Sequence, residues 1–462
     1  MRFRWQNFRC FEDTGWINLR PLTVVIGRNN TGKTSTYEPL LLLKQTMDSR
    51  FGTQALVTKG PLADLGHYED IVYGRHVSRD LTFELSGLQP NIEWPSGLQE
   101  RMESREPDGV SLTFSREPKS DVVLSEYKLK DPAGKALLTR RRRRGGSYTM
   151  ADFPRFPALD SIKPPLRDVF EKVKHDIYAH RPLNFLFAPR DVLGDVLTAL
   201  DSDTPVQSLG PVLNWIMEYT GLTSIIGTAV IDNLSRLSYL GPLRALPKRW
   251  YELSGEMPAT VGEAGKNSPE LLFRLQDTSL LTDVSGWLRT FGFSSLFEFD
   301  ESGSDGFAVK LRRTKNSPAI NVADCGMGVS QVLPLIVQGF HGSQESLLVV
   351  EQPEIHLNPS LQACLAELFV AFVDRGRKMI VETHSEHFLL RLRRLIANDD
   401  IDPEDVAVYF TDKKGDGSTL RRIEIDSDGN VSRQEWPKGF FDESLTEALA
   451  LAATRAKKRH GA

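Results

Sequence analysis

The run Gly27-Arg28-Asn29-Asn30-Thr31-Gly32-Lys33-Thr34 sets glycines, a lysine and a hydroxyl at a spacing that suits a chain of phosphates. In such a loop the backbone N–H groups turn inward around a β-phosphate, Lys33 reaches the β- and γ-phosphates, and Thr34 offers a hydroxyl to Mg²⁺. Ser35 completes the residues expected to hold the cofactors ATP and Mg²⁺. A tight turn without a ligand is the plainer alternative. Against it, the loop stands between a strand-like run, Leu22-Thr23-Val24-Val25-Ile26, and the apolar helical segment Leu40 to Met47, the order a P-loop requires.

Three further stretches bear on the same chemistry. Ser346-Leu347-Leu348-Val349-Val350-Glu351 reads as a buried parallel strand that delivers a carboxylate, Glu351, to the metal at the C-terminal edge of a sheet. Glu351, Gln352 and Glu354 are the catalytic candidates that follow from it. A second apolar run, Lys378-Met379-Ile380-Val381-Glu382, leads to Thr383-His384-Ser385, where His384 is placed to bond a γ-phosphate or orient water. Asp324-Cys325-Gly326-Met327-Gly328-Val329-Ser330-Gln331 opens an apolar helix, whose bare amides at Gly326 and Gly328 suit a phosphate, with Ser330 or Gln331 adding a side-chain bond.

The elements that must position these residues make an α/β chain. Residues 1–26 alternate polar and apolar before the continuous run that precedes the loop. From about 55 to 155, short alternating runs separated by Gly, Pro, Asp and Asn predict an antiparallel sheet or meander. Within it, Arg140, Arg141, Arg142, Arg143 and Arg144 lead into Gly145-Gly146, which fits a strand end entering a turn. Five adjacent arginines cannot share one face, so the run reads as a solvated hairpin tip, a contact for DNA or RNA phosphates, or a dock for an acidic partner. Residues 160–300 are mostly helical in pattern and predict an insertion. Arg244 and Arg249, in the Gly/Pro-punctuated segment Tyr239 to Trp250, read either as phosphate contacts or as structural ion pairs.

The 462 residues suffice for two or three units around sizeable cores. No apolar run approaches the ~20 residues that span a bilayer, and Met1-Arg2-Phe3-Arg4 opens no signal peptide, so a soluble cytoplasmic protein is expected. Cys10, Cys325 and Cys364 lie too far apart for a zinc site or a disulfide framework. A net charge of −4 puts any nucleic-acid contact on local clusters.

P-loop, G-x-G-x-S-Q helix start, acid-ended strand and strand-His follow one another as in the ABC-type ATPases. More narrowly the chain resembles the stand-alone AAA ATPases grouped with RecF, SMC heads and OLD proteins, and is closest to those of anti-phage systems such as Septu PtuA. The phrases Glu351 to Leu357, Val381 to Ser385 and Trp436 to Phe441 carry that resemblance, with Gly241-Pro242-Leu243-Arg244 in the middle. It implies an ABC-type head: an N-terminal lobe over 1–155 with P-loop and antiparallel β subdomain, a mainly helical insertion over 156–305, a C-terminal lobe over 306–425, and a C-terminal helix with a basic tail over 426–462. It also implies a head-to-tail dimer in which Gly326 to Gln331 of one subunit closes over ATP held by Lys33 of the other.

Departures from the family pattern shape the functional expectation. Gln352 stands where a catalytic Glu is usual, and an amide positions water without taking its proton. Slow hydrolysis follows, unless Glu354 or Glu382 acts as base. Gly326 replaces the usual signature Ser, Asn358 stands where a D-loop Asp is common, and neither Gln45 nor the segment Gly66 to Ile71 supplies a clear Q-loop glutamine. The expected role is an ATP-driven switch that clamps or senses nucleic acid and controls a separate nuclease in anti-phage defence. The 443–458 helix is too short for a nuclease domain, which puts any nuclease on a partner. A RecF-like repair or chromosome-maintenance ATPase is the alternative, and a transporter subunit is disfavoured.

Overall fold

The computed structural model describes residues 1–49, 54–88, 107–117, 120–160, 162, 166–179, 182–187, 206–301 and 306–432. The Trp436–Phe441 phrase and the helix expected over 443–458 lie outside the described residues. The chain divides into two compact units, Met1–Asn18 with Ser35–Ser235, and Leu19–Thr34 with Arg236–Ala462.

Strands β1 (Arg2–Phe8), β2 (Phe11–Asp13) and β3 (Ile17–Asn18) open the first unit, and β4 (Leu22–Gly27) opens the second. The first unit continues with β5 (Leu81–Ser86), β6 (Gly109–Glu117), β7 (Ser120–Lys130), β8 (Ala136–Arg142) and β9 (Tyr148–Ala151). These pair antiparallel in the order β2-β1-β5-β6-β7-β8-β9, with β3 on β1. Alternation along β1 buries Phe3 and Trp5, and the left-handed Asn7 (φ 56°) shifts the parity so that Phe8 is buried too; Trp5 stacks on Phe3 and meets Phe83 edge-on at 5.3 Å. The meander expected from the sequence is this sheet. Helices Glu38–Met47, Leu166–Ala179 and Val206–Ser235 belong to the same unit.

The arginine run ends β8 as expected, but its first member points inward. Arg140 is fully buried, donates from Nη1 to Tyr219 Oη at 3.0 Å and from Nη2 to the Ile177 carbonyl at 2.9 Å, and lies 4.8 Å from the centre of the Phe187 ring. Arg141 pairs with Glu126 and Arg142 with Glu117. Arg140 is thereby removed from any nucleic-acid surface, and only Arg143 and Arg144 stand exposed without a carboxylate partner among the described residues. The period-2 alternation of a strand makes this unavoidable, since 140 and 141 must face opposite sides.

The helical pattern expected over 160–300 is interrupted after Ser235. Strand β10 (Leu237–Leu240) then enters a parallel sheet, because its apolar residues fill a place buried on both faces. Strand β11 (Tyr251–Glu252) and helices Ser268–Arg274 and Ser279–Thr290 follow, then β12 (Leu296–Glu301), β13 (Gly306–Arg312) and β14 (Ile320–Asn321), which with β11 make a small antiparallel sheet. Helix Met327–His341 leads to β15 (Leu347–Glu351), helix Pro359–Asp374 to β16 (Lys378–Glu382), and helix Glu386–Ala397 to β17 (Val406–Lys414) and β18 (Gly417–Ile423).

The main sheet of this unit runs β10-β15-β16-β4-β17-β18, parallel except for the last pair. Every residue of β4 and β15 is buried. Register puts Glu351 beside Glu382 and Thr411 beside Gly27, so β15, β16, β4 and β17 carry their polar ends to one edge. That edge, outside the carboxyl ends of the strands, is where an open α/β sheet receives a ligand. The fold is α/β: a mainly parallel six-stranded sheet that carries the Gly27–Thr34 loop at its carboxyl edge, with separate antiparallel sheets.

Candidate functional site

Gly27 ends β4 where β17 comes closest. A Cβ there would lie 2.1 Å from Thr411 Oγ1 and 2.6 Å from the Thr411 carbonyl oxygen, so only glycine fits. Thr411 and Thr31 share a hydroxyl hydrogen bond of 2.6 Å, and Thr31 Oγ1 also donates to the Arg28 carbonyl at 2.8 Å. Arg28, Asn29 and Asn30 form the exposed crest of the loop, with Asn30 left-handed at φ 61°. Gly32, at φ 88°, turns the chain back so that Lys33 is buried.

Lys33 Nζ donates to the Arg28 carbonyl at 2.8 Å. Burial holds its pKa below the ordinary lysine value, while the carboxylates of Glu382 and Glu354 act in the opposite sense. Thr34 Oγ1 donates to Glu382 Oε2 at 3.0 Å. Ser35 is buried in the short turn Thr34–Thr36. The carboxylate brought to the threonine of the loop is therefore Glu382, which the sequence offered only as a base. Glu351, expected as the metal ligand, ends the next strand over and accepts from Tyr239 Oη at 2.9 Å.

Glu354 holds the histidine segment. Its Oε2 accepts from Thr383 Oγ1 at 2.8 Å and its Oε1 from the His384 amide at 2.6 Å. Burial raises its pKa, and these bonds oppose the rise. Each oxygen thus accepts one hydrogen bond from the 383–384 segment, and Glu354 anchors the backbone at His384. His384 is pushed down to about 4 by burial and by the Lys33 cation, which keeps its ring neutral near pH 7. Ser385 caps the helix Glu386–Ala397 by accepting from the Phe388 amide, which fixes the turn behind His384.

Gln352 follows Glu351 in a left-handed conformation, φ 42°, and its amide bonds the Glu382 carbonyl at 2.8 Å. Arg244 is buried and donates from Nη2 to the Glu351 carbonyl at 3.3 Å. Burial pulls Arg244 down to about 10, with Tyr239, Glu351 and Glu354 holding it up. Arg249 is instead the structural pair foreseen as one of its two readings, bonding both oxygens of Asp324 at 2.9 and 2.6 Å.

The signature residues form a second group. Gly326 is the N-cap of the helix Met327–His341, with no side-chain cap, and is exposed. Gly328 packs against Phe293, whose Cζ would lie 2.8 Å from an added Cβ, whereas a Cβ at Gly326 would meet nothing within 4 Å. Ser330, expected to reach a phosphate, is buried one turn in and donates its hydroxyl to the Met327 carbonyl at 2.7 Å. Helical periodicity turns position 330 into the core, which leaves the amides at the helix start as the donors on display. Asn358 caps the helix Pro359–Asp374 through the Leu361 amide.

The first group suits a nucleoside triphosphate with a divalent cation. A buried ammonium rests on a carbonyl of its own loop, and the hard oxygens of Thr34 and Glu382 meet beside it, the donor chemistry that Mg²⁺ takes. Residues 2–80 and 272–389 match the model of the AAA ATPase domain. Residues 401–451 match a second family, described as a protein of unknown function (DUF3696). No curated protein matches the chain. Among solved structures it is similar to an SMC head bound to the C-winged helix domain of ScpA, at 9% identity over 92% of this chain and 97% of that one, with a TM-score of 0.41. An SMC head from Pyrococcus furiosus with an extended coiled coil, bound to the C-terminal domain of ScpA, matches at 9% identity, 92% and 96% coverage and TM-score 0.40. The SMC head from Thermotoga maritima matches at 9% identity, 92% and 98% coverage and TM-score 0.34.

Sequence reading missed two members of the site, Tyr239 and Thr411, and the pairing of Glu382 with Thr34. Glu382 had a signal, because Leu347–Glu351 and Lys378–Glu382 are both apolar runs ending in Glu. Tyr239 and Thr411 had none of their own: a Tyr or Thr in a strand is ordinary, and only register reveals what it touches. No helix among the described residues is long and apolar enough to cross a membrane.

Proposed function

We propose that this protein is an ATP-gated association switch that hydrolyses its nucleotide slowly. The observation that carries this reading is the convergence, at one edge of one parallel sheet, of Lys33, the Thr34–Glu382 pair, Glu351 and a neutral His384 anchored by Glu354. Lys33 and the loop amides would hold the phosphates, and Thr34 with Glu382, backed by Glu351, would hold the metal. Bound Mg²⁺ supplies neutralisation of the charge on the phosphate oxygens.

The chain's own residues then account for slow turnover. Gln352 would orient water through its amide but take no proton, and Glu354 is engaged at each oxygen by the segment that holds His384. His384, neutral and held at its amide, is suited to accept or donate a single hydrogen bond near the γ-phosphate. The open amides at Gly326 of a second copy would complete the γ-phosphate shell, which makes association depend on ATP rather than ADP.

The test is mass measurement in solution with ATP, ADP and no nucleotide, together with steady-state turnover. ATP is expected to produce a dimer that ADP does not, and Lys33→Ala to abolish both nucleotide binding and the dimer. Gln352→Glu is expected to raise turnover; an unchanged or lower rate would mean that another group already serves as base. The wider role we infer, on the resemblance of the phrases around Glu351 and His384, is control of a separate nuclease in anti-phage defence. Loss of phage protection on deleting the gene, and copurification of a nuclease, support it; a defect confined to DNA repair would favour the RecF-like alternative.

A further inference from the structure

Strand β10 leaves the parallel sheet one residue too early to serve the end of β15. Its last paired residue is Leu240, opposite Val350, and the Gly241 amide turns away to the Glu263 carbonyl at 2.8 Å. The Glu351 carbonyl, next along β15, is met by a side chain instead. Arg244 Nη2 donates to it at 3.3 Å, from a guanidinium that is 8% exposed and whose Nε and Nη1 have no hydrogen-bond partner among the described residues.

The other end of the same peptide unit is the amide of Gln352, which bonds the Glu382 carbonyl at 2.8 Å. Its plane is thus held from both sides, by Arg244 and by β16. The residue that follows this plane is under strain. Gln352 has φ 42°, a left-handed conformation rare for a side chain of its size, and it precedes Pro353, whose ring disfavours the helical regions for its neighbour. Such a conformation persists only where the surroundings impose it.

We propose that Arg244 is a positioning residue that locks the Glu351–Gln352 peptide in this left-handed turn, and so fixes where the Glu351 carboxylate and the Gln352 amide point. A buried arginine with a single weak bond is a poor packing element, since its desolvated N–H groups oppose folding. Its use is directional: one long, rigid fork reaches from the loop after β10 to a carbonyl that the backbone of β10 no longer reaches. The lock itself stands on the ligand-free geometry, whereas its consequence for turnover rests on the ATPase reading above.

Amide hydrogen exchange of the nucleotide-free protein separates the two. In the unmodified chain the Gln352 amide is protected by its bond to Glu382. Arg244→Met, which keeps the volume and removes the donors, is expected to raise exchange at Gln352 at least about tenfold while Val349 and Val350 stay as they were. Adding Pro353→Ala, which removes the restriction on position 352, is expected to recover at least about threefold of that protection. Should the Met variant fail to fold, Arg244→Lys retains a buried cation and is expected to show a smaller rise confined to the same amide. Unchanged exchange at Gln352, or a rise spread along all of β15, would overturn the proposal. Fluorescent ATP-analogue binding gives the remaining arm: affinity within about threefold of the parent agrees with a positioning role. A loss beyond about thirtyfold with Gln352 exchange unchanged would make Arg244 a phosphate ligand instead.

Discussion

Gly27→Ala tests the closure of the phosphate loop against β17. The added methyl would sit 2.1 Å from the Thr411 hydroxyl and 2.6 Å from the Thr411 carbonyl oxygen. The first contact can be relieved by a side chain; the second is backbone, held by the parallel pairing of Gly27 with Thr411. Overpacking of this kind costs about 1–3 kcal/mol, and a fixed backbone neighbour places this site at about 3 kcal/mol. Thr411→Ala alone removes the bond to Thr31 Oγ1 but leaves Thr31 its bond to the Arg28 carbonyl, a loss of about 1 kcal/mol. If the effects were independent the double variant would lose about 4 kcal/mol; relief of the hydroxyl collision, with the carbonyl collision left in place, should bring it to about 3 kcal/mol, a coupling of about 1 kcal/mol against the ~0.5 kcal/mol scatter of unrelated sites. Denaturant unfolding of the four proteins without nucleotide measures this cycle. A Gly27→Ala variant within about 0.5 kcal/mol of the parent, or strictly additive values, would refute the close approach of β17 to the loop.

Three further outcomes follow from the geometry. Glu382→Gln is expected to cut the Mg²⁺-dependent part of ATP affinity about tenfold and leave metal-free ATP binding nearly unchanged, because Thr34 loses its carboxylate partner; titration with and without Mg²⁺ reads it, and the same loss from Glu351→Gln alone would reverse the assignment. If the arginine run meets nucleic acid, replacing Arg143 and Arg144 by Ala should lower the salt slope of binding by about 0.9 per lost contact, while Arg140→Met should change stability rather than slope, by about 2–4 kcal/mol from two lost bonds to a buried cation. For His384, the folded value of about 4 lies below the ordinary histidine value of about 6.5, so the unfolded chain binds the extra proton first. Its contribution to stability is full above about pH 6.5 and declines as pH falls toward 4; the pH-stability curve of His384→Gln should be flatter than the parent's in that window, and an identical slope would place the ring in solvent.

What the sequence made legible was whatever depends on local pattern. The loop at 27–34, the acid-ended run at 347–351 and the strand before His384 were readable because glycine spacing and continuous apolar runs report directly on turns and on strands buried on both faces. What stayed hidden depends on register between distant segments. Glu382 rather than Glu351 meets Thr34 because β16, and not β15, is the neighbour of β4. Ser330 looked like a ligand on a motif, yet the helical period carries it inward. Residues 160–300 read as mostly helical, and four helices lie there among the described residues, but the partner of the short β10 (Leu237–Leu240) could not be read, because its place beside β15 is a matter of register.

The two family matches end and begin on either side of a gap between 389 and 401, which invites the view that they are separable modules. The pairing of β17 says otherwise. That strand belongs to the second match, yet six of its residues, Val406 to Thr411, pair with β4 on the side opposite β16. A fragment trimmed at residue 400 would leave the strand before the phosphate loop as a raw edge, with unpaired amides and carbonyls of the kind that recruit other chains into aggregates. It would also remove the threonine that closes on Gly27. Expression boundaries for any ATP-binding fragment therefore have to run at least through Ile423, and the border between the two sequence families is not a border between folding units.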